Sequence, residues 1–129
     1  MTSNISNIND IQLLVNSFYN KVKEDELLAE IFESKLHNNW PQHLEKMYRF
    51  WQTVLLEEQT YSGSPFAPHA KLNINKEHFE RWMELFNNTV DEHFTGEKAE
   101  EAKWRARKMA ELFYNKIEYI KNNPNKHIL

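Results

Sequence analysis

Apolar residues recur along the chain at intervals of three and four, interrupted at a few polar or proline-bearing joints. From about Asp10 to Lys23 they are Ile11, Leu14, Val15, Phe18 and Val22, with Tyr19 one residue round from Phe18. This spacing puts them on one face of an amphipathic helix. A short second helix is predicted around Glu26 to Lys35, carrying Leu27, Leu28, Ile31 and Phe32. His37 to Asn39 make a polar break. Pro41 then suits a first helical turn, where a missing N–H costs nothing. The third helix runs to about Glu57, with Trp40, His43, Leu44, Met47, Trp51, Val54 and Leu55 inward and Phe50 alongside. One position on that apolar stripe is a histidine.

From Glu58 to Asn73 the helical period fails. The segment holds Gly63, Pro65 and Pro68, and exceeds the usual connection of about four to six residues. It reads as a structured loop with one helical turn at its end, because Tyr61 and Phe66 favour packing over disorder. Asn75 is a candidate N-cap for a fourth helix, about Lys76 to Phe94, which turns Phe79, Trp82, Met83, Phe86, Val90 and Phe94 inward. Thr95-Gly96 breaks the chain, with Thr95 as the candidate cap of a fifth helix over about Glu97 to Lys121. Its inner face is Ala102, Ala106, Met109, Phe113, Ile117 and Ile120. The fold class is therefore all-α. Residues 1–129 form a single domain, with 1–8 and 122–129 expected to fray.

Composition narrows the chemistry. A chain of 129 residues supports one hydrophobic core. The absence of cysteine excludes a disulfide framework, a zinc ribbon, a thiol nucleophile and covalent haem attachment. Gly63 and Gly96 are too few and too far apart for a phosphate-cradling loop. With 16 basic and 19 acidic residues and a net charge of −3, there is no footprint for nucleic acid. No apolar run approaches the roughly 20 residues of a bilayer span. The first residues lack the basic and apolar regions of a secretory signal, so a cytoplasmic location is expected. Aromatic residues make up 13% of the chain, enough to fill a core and also to wall a slot for a flat ligand.

The six histidines are the first place to look for chemistry. None stands three residues after a glutamate, which removes the paired Glu-x-x-His motif of a ferritin-like di-iron site. His37, His78, His93 and His127 have polar or terminal surroundings and read as solvated. His43 interrupts an apolar stripe, and a buried imidazole needs partners for its ring nitrogens. On spacing alone it reads first as a core histidine bonded to backbone or water. His69 follows Pro68 between Phe66 and Leu72, so the loop that carries it is stiff. It reads either as an ordinary loop residue or as an axial metal ligand. Tyr19 and Trp82 lie at apolar faces, and each has a polar hydrogen that needs an acceptor when buried. If they converge with His43, the three make a small apolar pocket with several donors, suited to a ligand bearing partial negative charge.

Four segments in order then carry a family resemblance: SFYNKV around Tyr19, NNWPQHLEKMYRFW around His43, YSGSPFAPHAKL around His69 and HFERWMELF around Trp82. Together, over about Ile8 to Ile120, the chain resembles the truncated haemoglobins of group III, short globins with a two-over-two helical sandwich around haem. The lack of a Gly-Gly pair, common at helix joints in the other truncated groups, agrees with group III. Pro65 and Pro68 are then the candidates for shaping the loop before His69.

The resemblance implies haem b as cofactor and His69 as its iron ligand. It implies Tyr19, His43 and Trp82 as distal residues that stabilise a bound gas. Phe18, Phe32, Met47, Phe50, Trp51, Met109 and Phe113 would line the slot. Lys46, Arg49, Lys71 and Tyr61 are propionate partners by position. The implied ligands are O₂, NO and CO, with water, hydroxide or cyanide in the ferric state. The expected function is tight O₂ binding tied to O₂, NO or peroxide redox chemistry, not bulk transport. Two other readings stand beside it. One is an NO dioxygenase or peroxidase-like enzyme served by a separate reductase. The other is a haem-free helical binding module whose aromatics are only core. His43 as a second iron ligand in the resting state is also left open.

Overall fold

A computed structural model describes residues 2–70 and 72–123. Among the described residues, five α-helices follow in chain order: α1 (Ile8–Glu24), α2 (Ala29–Leu36), α3 (Trp40–Leu56), α4 (Lys76–His93) and α5 (Glu97–Asn122). A single 3₁₀ turn, Ala67–His69, sits in the long connection before α4. The all-α expectation holds, and the boundaries agree to within a few residues.

Local chemistry sets the helix ends. Asn7 opens α1 by accepting from the Asp10 amide at 3.1 Å, and Asp10 reaches back to the Ser6 amide at 2.9 Å. Pro41 lies in the first turn of α3, as its missing N–H permits. Asn75 opens α4 as expected, accepting from the Glu77 amide at 3.2 Å while His78 Nδ1 accepts from the Asn75 amide at 3.1 Å. Two expectations need correction. The second helix begins at Ala29, because Asp25 closes α1 and then accepts from the amides of Leu27 and Leu28 at 3.1 and 3.0 Å. Thr95 does not cap α5. Asn4 Oδ1 does so from the far end of the chain, accepting from Lys98 and Ala99 at 3.0 and 3.2 Å.

That contact also ties down residues 3–5, part of the end expected to fray. The Thr95 amide donates to the Ser3 carbonyl at 3.0 Å, and Ile5 is 1% exposed within the main core. A buried apolar anchor and a cap together outweigh the freedom of an end. Gly96 permits this approach. Its φ of +115° suits glycine, and a Cβ there would lie 2.9 Å from the Asn4 side chain. At the other end, Asn122 is the last residue of α5, and 124–129 lie outside the described residues.

The helices form two crossed pairs. α1 packs on α3, α4 packs on α5, and α1 also packs on α4 to join the layers. This is the two-over-two sandwich. Its apolar side chains fall into two clusters. The larger contains Leu14, Phe18, Tyr19, Trp51, Leu55, Phe86 and Val90. The smaller contains Phe66, Ile74, Phe113 and Ile117. Met109 packs against both. Among the described residues, no helix is long and apolar enough to cross a membrane.

Candidate functional site

The two histidines singled out by sequence lie on opposite sides of the boundary between the clusters. His43 projects from α3 into the larger one. Its ring stands edge-on to Tyr19 at 5.0 Å and to Phe32 at 6.4 Å, measured between centroids. His69 sits against the smaller one, with its ring 4.9 Å from Phe113, which in turn lies edge-on to Phe66 at 5.3 Å. The two imidazoles are close enough for the charge of one to act on the other.

Each imidazole is conditioned differently. His69 Nδ1 is 2.8 Å from the Pro65 carbonyl oxygen, which can only accept, so Nδ1 donates. That bond directs the Nε2 lone pair away from the loop. Burial lowers the pKa of His69, the Pro65 bond opposes this, and the charge of Lys35 adds to the lowering. His43 is pushed down to about 4, first by burial and then by the charges of His69 and Lys46. It is therefore a neutral imidazole near pH 7. Its Nε2 is buried with no hydrogen-bond partner. A buried polar atom of this kind calls for an explanation, and a missing ligand is one. Burial also raises the Tyr19 phenol well above its ordinary value, so it keeps its proton and can only gain by donating it in a hydrogen bond.

The expected site residues divide by position. Phe18 links the distal trio, touching Tyr19 at 4.9 Å and Trp82 at 5.3 Å, both edge-on. Trp82 itself stacks on Phe86 at 5.5 Å and 10°. Tyr19 and His43 are thus brought ring to ring, while Trp82 reaches them through Phe18. Phe32, Met47, Phe50 and Met109 are partly buried against the larger cluster. Trp51 lies deeper, 4% exposed and stacked on Phe86 at 5.2 Å. Among the suggested propionate partners, Lys46 is exposed on α3. Arg49 is already engaged, by Glu45 at 2.7 Å and Gln52 at 3.1 Å. Tyr61 packs edge-on to Phe50 at 5.4 Å, and burial raises its pKa. Lys71 lies outside the described residues.

Three features escaped the sequence reading. Trp40 was on the α3 stripe one turn before His43, yet its contact with Tyr19 depends on how α3 packs on α1. Lys35 acts on His69 across the fold and has no signal in its own neighbourhood. The Pro65 carbonyl is backbone, which residue identity does not announce.

Among the described residues, no three or more His, Asp or Glu side chains converge as a metal site. A lone imidazole beside an apolar boundary fits a metal that brings its other ligands with it, as haem iron does. The orphaned Nε2 of His43 fits a ligand on the opposite side. The residues present therefore fit haem, and a two-over-two sandwich arranged in this way is the build of a haem-binding globin.

Comparison with known proteins agrees. The family model for bacterial-like globins matches residues 3–117. The group 3 truncated hemoglobin ctb of Campylobacter jejuni is 31% identical over 115 residues, which cover 86% of this chain and 91% of that protein. The crystal structure of a group III truncated hemoglobin from Campylobacter jejuni matches with a TM-score of 0.83 at 30% identity, over 91% of this chain and 95% of that one. Within the bacterial-like globins, the chain belongs to the group III truncated haemoglobins. Haem-based binding of gaseous ligands follows from that membership.

Proposed function

We propose that the protein holds haem b between its two apolar clusters and binds O₂, NO or CO tightly on the His43 side. Haem would supply an iron that binds a gas and can change oxidation state. His69 would hold the iron through Nε2, with the Pro65 carbonyl fixing its tautomer and orientation. Phe113 and Met109 would wall one side, and Phe18, Phe32, Met47, Phe50 and Trp51 the other. Of the suggested propionate partners, Lys46 and Tyr61 would serve, since Arg49 is taken up by Glu45 and Gln52. Tyr19, His43 and Trp82 would donate hydrogen bonds to the partial negative charge of a bound gas. The unpartnered, buried Nε2 of His43 is the observation that carries this reading.

A net hydrogen bond contributes about 0.5–1.5 kcal/mol. Two of them, about 2 kcal/mol together, slow ligand loss roughly thirtyfold when they are absent from the dissociation transition state. Such retention suits redox chemistry on O₂, NO or peroxide better than bulk transport. Turnover of that kind would need a separate reductase.

Titration with haemin tests the cofactor assignment. The wild type gives a strong Soret band with one equivalent bound, and His69→Ala loses most of it. A wild type that takes up no haemin leaves the haem-free binding module in its place.

A further inference from the structure

Trp40 opens α3 and stands over the Tyr19–His43 pair. Its ring lies nearly parallel to Phe32 at 6.2 Å and 21°, and edge-on to Tyr19 at 5.9 Å and to His43 at 6.1 Å. On its outer side it is held by two other helices. The indole Nε1 donates to Glu33 Oε2 on α2 at 3.0 Å. The Lys23 ammonium, in the last turn of α1, lies 4.5 Å from the ring centre. A cation over an indole face is attracted by the ring quadrupole.

The cover that Trp40 completes is thin. α2 has no fully buried residue. The joint His37–Asn39 is exposed, and His37 has a φ of +47°, a left-handed conformation that a residue with a Cβ resists. The clasp is therefore made of exposed groups on a thinly buried part of the fold, beside the buried ring of Tyr19 and the partly buried ring of His43. Low burial and solvent-exposed bonds mark regions that open locally.

We infer that Trp40 is the lid of the distal pocket, clasped shut by Glu33 and Lys23, and that a diatomic ligand passes between α2 and the start of α3 when the clasp opens. This rests on the haem reading above. It adds a residue that governs passage, distinct from those that stabilise the bound gas.

A lid has its own kinetic signature. A ligand arrives and leaves only through the open fraction, so loosening the clasp raises association and dissociation by the same factor and leaves affinity unchanged. Removing a donor to the bound ligand acts on dissociation instead. Losing one exposed hydrogen bond multiplies the open fraction about three- to tenfold.

The test uses haem-loaded wild type, Glu33→Ala, Trp40→Phe and Trp40→Ala. CO rebinding after flash photolysis reads association, and displacement of CO by NO reads dissociation. Both rates rise about three- to tenfold in Glu33→Ala and Trp40→Phe, and further in Trp40→Ala. Amide hydrogen exchange over residues 37–43 of the loaded Glu33→Ala protein also quickens. The lid is overturned if both rates in Glu33→Ala and Trp40→Phe stay within about twofold of wild type. A rise in dissociation alone, or unchanged exchange, counts against it equally. Should Trp40→Ala fail to fold, the other two variants carry the test. A wild type that binds no haemin defeats the haem reading itself, which shows before any rate is measured.

Discussion

Tyr19 carries a hydroxyl that burial keeps protonated, and its ring centre lies 5.0 Å from that of a histidine that burial keeps neutral. Two polar side chains in one apolar cluster are costly unless something accepts from them. Their presence is the residue-scale argument for a ligand. In haem-loaded protein, Tyr19→Phe accelerates O₂ dissociation about three- to tenfold, the worth of one net hydrogen bond. Trp82→Phe has the smaller effect, because Trp82 reaches the pair only through Phe18. Stopped-flow displacement of O₂ by CO measures both, and unchanged rates in both variants remove the proposed donors. At this scale the chain was partly legible. A histidine on an apolar stripe and another after a proline were visible as anomalies. That His43 Nε2 lacks a partner was not, because satisfaction of a buried atom depends on neighbours far off in sequence. Nor was the tie of His69 to the carbonyl of Pro65, four residues earlier, because that carbonyl is backbone.

At the scale of elements, helices follow from the three-and-four spacing, and the proline and Asn75 starts follow from local chemistry. The ends that involve distant residues do not. Asp25 is such an end. It closes α1, caps the turn into α2 and meets Arg81 of α4 at 2.6 Å. Burial pushes its carboxyl up, but the Arg81 hydrogen bond, the Leu28 amide, the Arg81 charge and the Leu27 amide outweigh that and hold it below its ordinary value. A carboxyl lowered in this way stabilises the fold above its unfolded value near 3.8 and loses that contribution as pH falls through the lower folded value. Asp25→Asn keeps a capping oxygen but loses the charge. Its urea midpoint therefore lies below that of wild type at pH 7, and the gap narrows below about pH 3.8. A gap that persists unchanged at pH 3 shows that the charge of Asp25 is not its source.

At the scale of the whole molecule, the division of the core matters most. The larger cluster joins α1, α3, α4 and the first half of α5, and the smaller joins the loop around Phe66 to the second half of α5. A flat apolar cofactor lying between them, with Met109 touching both, would turn two small cores into one. Ligands that bind only the folded state stabilise it by mass action, about 2.7 kcal/mol at a hundred times the dissociation constant. For a domain of this size that raises Tm by about 10 °C. Thermal melts with and without haemin measure it, and the His69→Ala protein shows a smaller rise. A wild-type Tm that ignores haemin contradicts the arrangement.

Helix identity, the inner face of each helix, the long loop bearing His69 and the oddity of His43 were all determined by the sequence itself. They rest on periodicity, on proline geometry and on the rarity of a polar residue among apolar ones, all of which are local. Only the tertiary structure decided that Asn4 caps α5, that Asp25 meets Arg81, and that Trp40 covers Tyr19. Each of those contacts joins residues far apart in the chain that only the packing of its elements brings together. Spacing along one helix places a residue on a face but does not say which residue of another helix it will meet.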